Sequence, residues 1–343
     1  MTTLVALATK DALVMGCDSL GTVTLDLVDP SDLIRDFFDP KNEWKLKTNG
    51  EGKPILKEFN DIYKKAQTIP FNQMTHVGKM FSLDPLQMGI MTTGIASIKN
   101  RTIKSLIGEF KSKRRSDRRT RSSARDYTVR AVAEELLDFI TMYYNEEYQA
   151  GKSKPYLELM IGGYNKNSPF PSIFKILVAD WKIEDTFPAD NPFGIAFGGQ
   201  MQEIQRIVFG TDGSNKVKLL IRVGELFDKY RTILQEFLKE RQVSIELPSF
   251  QDYKDDLYLF QNWDLDGFDA DWGDFSEQNA IECVNFFVEI MAKSQQFSSR
   301  LPTVGGDIHI GLITKDKGFR FISRQEYVHE GYTTPVEDKE WNR

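Results

Sequence analysis

Three observations predict a mixed domain, of α/β or α+β order, built on two antiparallel sheets. Short apolar runs come in hairpin-like pairs at the start, middle and end of the chain. Long helical periods separate those pairs, and no regular strand-helix-strand alternation links them. With 343 residues, 41% of them hydrophobic and 27% charged, the chain can bury a large core.

Thr3 to Ala8 and Ala12 to Gly16 are apolar runs joined by Thr9-Lys10-Asp11, a β-hairpin at the first residues. Met80 to Met91 reads as strand with a turn at Asp84-Pro85, and Thr92-Thr93-Gly94 leads into a helical period from about Ile95 to Phe110. Asp126 to Glu147 is a second helix, because Val129, Val132, Leu136, Ile140 and Tyr143 share one face. Leu157 to Gly163 and Pro171 to Asp180 flank the turn residues Asn165 to Pro169 and form another hairpin. Gly194 to Phe209 starts as a strand, turns at Gly198-Gly199 and continues as a helix. Val217 to Glu240 and Ser276 to Gln296 are helical by period, and Asp307 to Ile313 pairs with Phe319 to Ile322 around Lys315 to Gly318.

Three segments read as insertions on this frame: 23–75, with four prolines and mixed charge; 111–125, a dense basic loop; and 252–277, acidic and aromatic. In the last, Asp264, Asp266, Asp269 and Asp271 suggest a calcium loop, but Gly267 comes too early for that pattern. The aromatic residues there are expected to pack on the body or on another subunit.

The net charge of -6 disfavours a chain dedicated to nucleic acid or anionic membranes, and the basic loop reads as a solvated one. Apolar stretches such as Ile281 to Ala292 are interrupted by glutamates and fall short of the roughly 20 residues that cross a bilayer. Lys10 and Asp11 break the first run too early for a secretory signal, so a cytoplasmic location is expected. Cys17 and Cys283 suggest neither a disulfide nor zinc, and His76, His309 and His329 offer little material for a triad; His309 reads as a packed strand residue. No cofactor or metal is expected.

A threonine hydroxyl needs a base to become a nucleophile. A residue at the start of a chain can use its own α-amino group, whose ordinary pKa is ~8. Met1 precedes the small residue Thr2, a context in which the initiator methionine is normally trimmed, so Thr2 is the candidate first residue. Thr2 to Leu7, followed by Leu13-Val14-Met15-Gly16-Cys17-Asp18-Ser19-Leu20-Gly21-Thr22, resembles the first hairpin of proteasome β subunits. Lys79 to Gly94 is similar to that family's lysine strand and the turn after it. Leu159-Met160-Ile161-Gly162-Gly163-Tyr164 is similar to its "GGYD"-like strand end, and Gly305-Gly306-Asp307-Ile308 to its late strand. The first two matches run without a gap, and the motifs keep the family's order.

The resemblance implies the four-layer αββα sandwich of N-terminal-nucleophile hydrolases, α+β in class, as one domain over 2–343 enlarged by the three insertions. It implies Thr2 as nucleophile, with its amine as base directly or through water, and Asp18 and Lys79 as the charged pair that sets the field around the hydroxyl. Thr93, in a turn entering a helix, would give its backbone N–H to the oxyanion. Thr303 would replace the serine that holds the amine. Gly21 and Thr22 would take up substrate backbone as an added strand, and Gly21, Met91 and Ile95 would shape an apolar side-chain pocket. Two departures stand out. The turn Ala196 to Met201 has no serine, and no aspartate matches in Ser298 to Val304. Bacterial proteasome-like groups of the Anbu type also lack parts of the usual set. The activity implied is that of a threonine endopeptidase cutting unfolded polypeptide inside a homo-oligomeric ring; an ATP-driven unfoldase enters by analogy only. A catalytically silent ring-forming homologue and an amidase for a small amide are the alternatives.

Overall fold

The computed structural model describes residues 2–40, 43–50, 52–55, 62, 66–116, 127–148, 154–188, 191–243, 245–253, 268, 270–299, 301–323, 327–329 and 332–334. In chain order the elements begin with β1 (Thr3–Ala8), β2 (Leu13–Asp18), β3 (Gly21–Leu27), α1 (Pro30–Phe37), β4 (Phe38–Asp39), β5 (Lys45–Leu46) and β6 (Gln67–Met74). There follow β7 (Met80–Ser82), β8 (Met88–Gly94), β9 (Ser97–Ile98), β10 (Arg101–Thr102), α2 (Ile103–Ser116), α3 (Val129–Glu147), β11 (Leu157–Tyr164), β12 (Pro171–Leu177) and β13 (Lys182–Asp185). The last are β14 (Gly194–Gly199), α4 (Gln202–Phe209), α5 (Gly213–Glu240), α6 (Glu277–Gln296), β15 (Ile308–Thr314), β16 (Gly318–Ser323), β17 (Tyr327–His329) and β18 (Tyr332–Thr334). The protein is a mixed α/β structure, and two five-stranded antiparallel sheets carry most of it, ordered β14-β1-β2-β15-β16 and β13-β12-β11-β8-β7.

Strand alternation decides what each sheet touches. Every residue of β1 and β2 is buried, so both faces of this sheet are covered. Val5, Leu7 and Val14 pack with Ile204 of α4 and with Val284 and Phe287 of α6. Leu4, Ala6, Leu13 and Met15 turn the other way and meet Met91 and Met160 of the second sheet. The second sheet's far face, with Ile90, Leu159 and Ile161, packs on Leu106 of α2 and Leu136 of α3. Gly89, Gly162 and Gly311 keep the two sheets close; a β-carbon at Gly162 would stand 2.6 Å from Leu13.

Three sequence expectations change. Helix α2 starts at Ile103 rather than near Ile95, because Ser97-Ile98 and Arg101-Thr102 pair as a hairpin whose two turn residues, Lys99 and Asn100, take left-handed φ of 49° and 61°. The run from Pro171 to Asp180 is strand only to Leu177; after Trp181, at a φ of 50°, the chain returns as β13. The basic segment is not a loop throughout, since Lys111 to Ser116 complete α2 while 117–125 fall outside the described residues.

Within 23–75, β3 and β6 form a two-stranded ribbon apart from both large sheets, with α1 and the short β4–β5 pair among the residues between them. In 252–277, Trp272 and Phe275 pack against the α6 side of the first sheet, whereas Trp263, Asp264, Asp266, Gly267 and Asp269 lie outside the described residues. Among the described residues no helix is long and apolar enough to cross a membrane. Phe287, 1% exposed between the first sheet and α6, joins these layers. Phe287→Ala is expected to cost about 3–5 kcal/mol, read as a lower denaturation midpoint.

Candidate active site

Thr2 enters β1 on the face that looks toward the second sheet, two residues before Leu4, and is 4% exposed. Its carbonyl accepts the Gln200 amide at 2.8 Å, just past the end of β14. Asp18 closes β2 and is wholly buried. Its Oδ1 accepts the Thr3 amide at 3.0 Å, and its Oδ2 accepts the amides of Leu20 at 3.2 Å and Gly305 at 3.1 Å. Lys79, in the segment entering β7, donates to both carboxylate oxygens at 3.1 Å and to the Leu20 carbonyl at 2.6 Å. Burying two charges is costly; here the geometry and the extra hydrogen bonds offset it. Asp18 and Lys79 thus stand together, with Asp18 bonded to the amide of Thr3, the residue after Thr2.

Thr93 is buried near Thr2 but in a different local structure from the one expected. It lies in β8, opposite Glu158 of β11, rather than in a turn entering a helix. The Ile95 amide bonds the Tyr156 carbonyl at 3.0 Å, so by alternation the Thr93 amide belongs to the same ladder with β11. The Gly94 amide points the other way, toward the side where Thr92 bonds Lys79. What Thr93 brings to the site is its side chain. A β-carbon on Gly199 would stand 2.0 Å from the Thr2 carbonyl oxygen and 2.9 Å from Thr93 Oγ1. Gly199 also has a left-handed φ of 67°, so this turn has room for neither a serine nor an alanine there.

Thr303 is held by two glutamines that sequence reading passed over. Its hydroxyl meets Gln200 Oε1 at 3.0 Å and Gln295 Oε1 at 3.2 Å, and its amide donates to Gln295 Oε1 at 2.6 Å. Gln295 in turn donates to Gln200 Oε1, and the Gln200 carbonyl accepts the Thr3 hydroxyl at 2.8 Å. Gln200 therefore ties Thr2, Thr3 and Thr303 into one network. Neither glutamine has a pattern or motif to mark it; only the position of Gln200 directly after Gly198-Gly199 was a signal.

The expected substrate-contact residues have different surroundings. Gly21 and Thr22 pair with Met74 and Gln73 of β6, so one edge of β3 is already taken. Met91 is sealed between the sheets, and Ile95 packs toward α2 and α3. Two further titratable groups adjoin the site. Burial pushes the Cys17 thiol far above its ordinary value, against the pull of Lys79, so this thiol stays protonated. His309 sits opposite Cys17 and is 5% exposed, and its Nε2 is without a hydrogen-bond partner. Burial lowers its pKa, with Lys79 and His76 adding to the effect and Asp307 and Asp18 opposing it.

A histidine that binds its proton more weakly folded than unfolded makes the unfolded chain the better proton acceptor as pH falls. His309 therefore adds no penalty above its ordinary pKa of 6.5 and costs stability as pH drops below that. Denaturant midpoints across pH are expected to fall less steeply in this range for His309→Gln. Gly199→Ala, with its clash and left-handed backbone, is expected to lose at least about 1–2 kcal/mol in the same assay. No protein-family model matches this chain, nor does any curated protein.

Proposed function

We propose that the chain is a threonine endopeptidase similar to proteasome β subunits, with Thr2 as nucleophile once Met1 is removed. The observation that carries this reading is the buried Lys79–Asp18 pair, whose carboxylate also accepts the amide of Thr3, the residue after Thr2. The Thr2 hydroxyl gives its proton to the α-amine and attacks the peptide carbonyl, while the Lys79 ammonium favours the developing alkoxide. The tetrahedral intermediate expels the leaving amine, which takes up the proton, and water then hydrolyses the ester on Thr2. For the oxyanion donor we assign the Gly94 amide in place of that of Thr93, because its direction is toward the Lys79 side. The four-layer αββα sandwich is the arrangement best supported by three hydrophobic clusters: one between the sheets, and one between each sheet and its helices.

A homo-oligomeric assembly, ring-shaped as in that family, is supported by α5. This 28-residue helix buries only Gly224, while Val217, Leu219, Ile221, Leu226, Tyr230 and Ile233 are each more than half exposed. Apolar patches of that extent mark interaction surfaces. The reading extends to unfolded polypeptide as substrate, with an unfoldase partner by analogy.

Incubation with a β-lactone or epoxyketone is expected to add one reagent mass to the protein and none to Thr2→Ala. A wild-type protein that stays unlabelled would favour a silent ring-forming homologue. Lys79→Ala leaves the Asp18 charge uncompensated and is expected to cost about 3–5 kcal/mol along with the labelling. In light scattering coupled to size exclusion, the double change Leu226→Glu and Ile233→Glu is expected to reduce the particle mass; an unchanged mass would remove α5 from the interface.

A further inference from the structure

Glu158 is a buried carboxylate to which the reaction above gives no role. It lies in β11 and is 4% exposed. Its neighbours Leu157 and Leu159 turn toward α2 and α3, so Glu158, like Met160, faces the first sheet. Oε2 accepts the Tyr156 hydroxyl, and Oε1 is without a hydrogen-bond partner. That free oxygen stands 2.4 Å from where a β-carbon on Gly198 would be, with Leu4 as the other neighbour at 3.2 Å. Across the ladder Glu158 is opposite Thr93, whose hydroxyl lies beside the contact of Gly199 with Thr2. Gly198 and Gly199 thus leave room, one after the other, for the carboxylate and for Thr93 at the Thr2 end of β1.

Among the described residues, the buried charged groups near the Thr2 end of β1 are Asp18, Glu158 and Lys79, and both of Asp18's oxygens already hold the Lys79 ammonium. His309 is neutralised by burial, Cys17 stays protonated, and the Tyr156 and Tyr164 hydroxyls are pushed well above their ordinary values, chiefly by burial. Glu158 is thus a buried carboxyl group with no cation beside it, and such a group is almost never fully buried without a partner. In the proposed reading, removal of Met1 would create one further cation at the start of β1, the α-ammonium of Thr2. We propose that Glu158 is the counter-ion of that amine, a positioning residue that holds it beside the Thr2 hydroxyl where no aspartate precedes Gly305. This rests on reading Thr2 as the trimmed N-terminal residue.

The test is the proton affinity of the α-amine, which requires no turnover. Intact mass first shows whether Met1 is gone; retention of Met1 would sink both the threonine-nucleophile reading and this one. On trimmed protein, the folded chain is acetylated with trace acetic anhydride across a pH series, and the N-terminal peptide is then quantified by mass spectrometry. Relative to wild type, Glu158→Gln is expected to lower the apparent pKa of the amine by about 1 unit or more, and Glu158→Asp to recover most of the difference. An unchanged value in folded Glu158→Gln overturns the assignment of Glu158 while leaving Thr2 as nucleophile standing. Where Glu158→Gln does not fold, Tyr156→Phe strips the hydrogen bond from Oε2 and is expected to raise the amine's pKa; no shift there overturns the assignment as well.

Discussion

The Asp18 carboxylate, wholly buried at the end of β2, takes donors from four separate stretches of chain: Thr3 at the start of β1, Leu20 before β3, Gly305 before β15, and Lys79 before β7. Three of these donors are backbone amides, so the carboxylate fixes the course of the main chain as well as a side-chain contact. An unsatisfied carboxylate at this depth would cost several kcal/mol, and so would an unpaired Lys79 ammonium. Each of the four segments is therefore held by the need to satisfy the others. The two sheets meet at this point, because Asp18 belongs to the first and Lys79 enters the second.

The parts of this arrangement that were readable in the sequence are those carried by spacing. Short apolar runs place β1, β2 and β11, an alternating pattern places β15, and the distances from Thr2 to Asp18 and from Lys79 to Gly94 bring chemistry-bearing residues onto strand ends. The unreadable parts depend on backbone conformations and long-range amide contacts. Ile95 to Phe110 has a helical period, yet Lys99 and Asn100 accept left-handed angles and close a hairpin that periodicity does not report. Gln200 and Gln295 meet across 95 positions of sequence, and nothing in either neighbourhood foretells it. Thr93 illustrates a mixed outcome: the residue comes to the site, but strand parity gives its amide to β11 and leaves the side chain to face Thr2.

The missing serine of the Ala196 to Met201 turn has a physical explanation in the same terms. Gly199 adopts a left-handed φ with the Thr2 carbonyl against its α-carbon, a conformation that a β-carbon would oppose sterically and energetically. The polar function that a serine would serve is taken up one residue later. The Gln200 amide holds Thr2, its carbonyl holds the Thr3 hydroxyl, and its side chain reaches Thr303 and Gln295. A turn built on glycine and glutamine can therefore hold the start of β1 where one built on serine would not fit.

That hold bears on the proposed role of Thr2, because a nucleophile at a chain terminus is ordinarily badly placed for catalysis. Terminal residues fray, and ordering one costs about 1–2 kcal/mol of backbone entropy before any side chain is positioned. Here β1 runs between β14 and β2 instead of at an edge, paired up to Thr3 on the β14 side and up to Leu4 on the β2 side. The Thr2 carbonyl is fixed from β14 and the Thr3 amide from β2, leaving the amine and hydroxyl of Thr2 as the groups still to be placed. In the proposed reading the sheet therefore offsets much of the entropy of ordering the terminus, and nearby charged groups would have only the Thr2 amine left to orient.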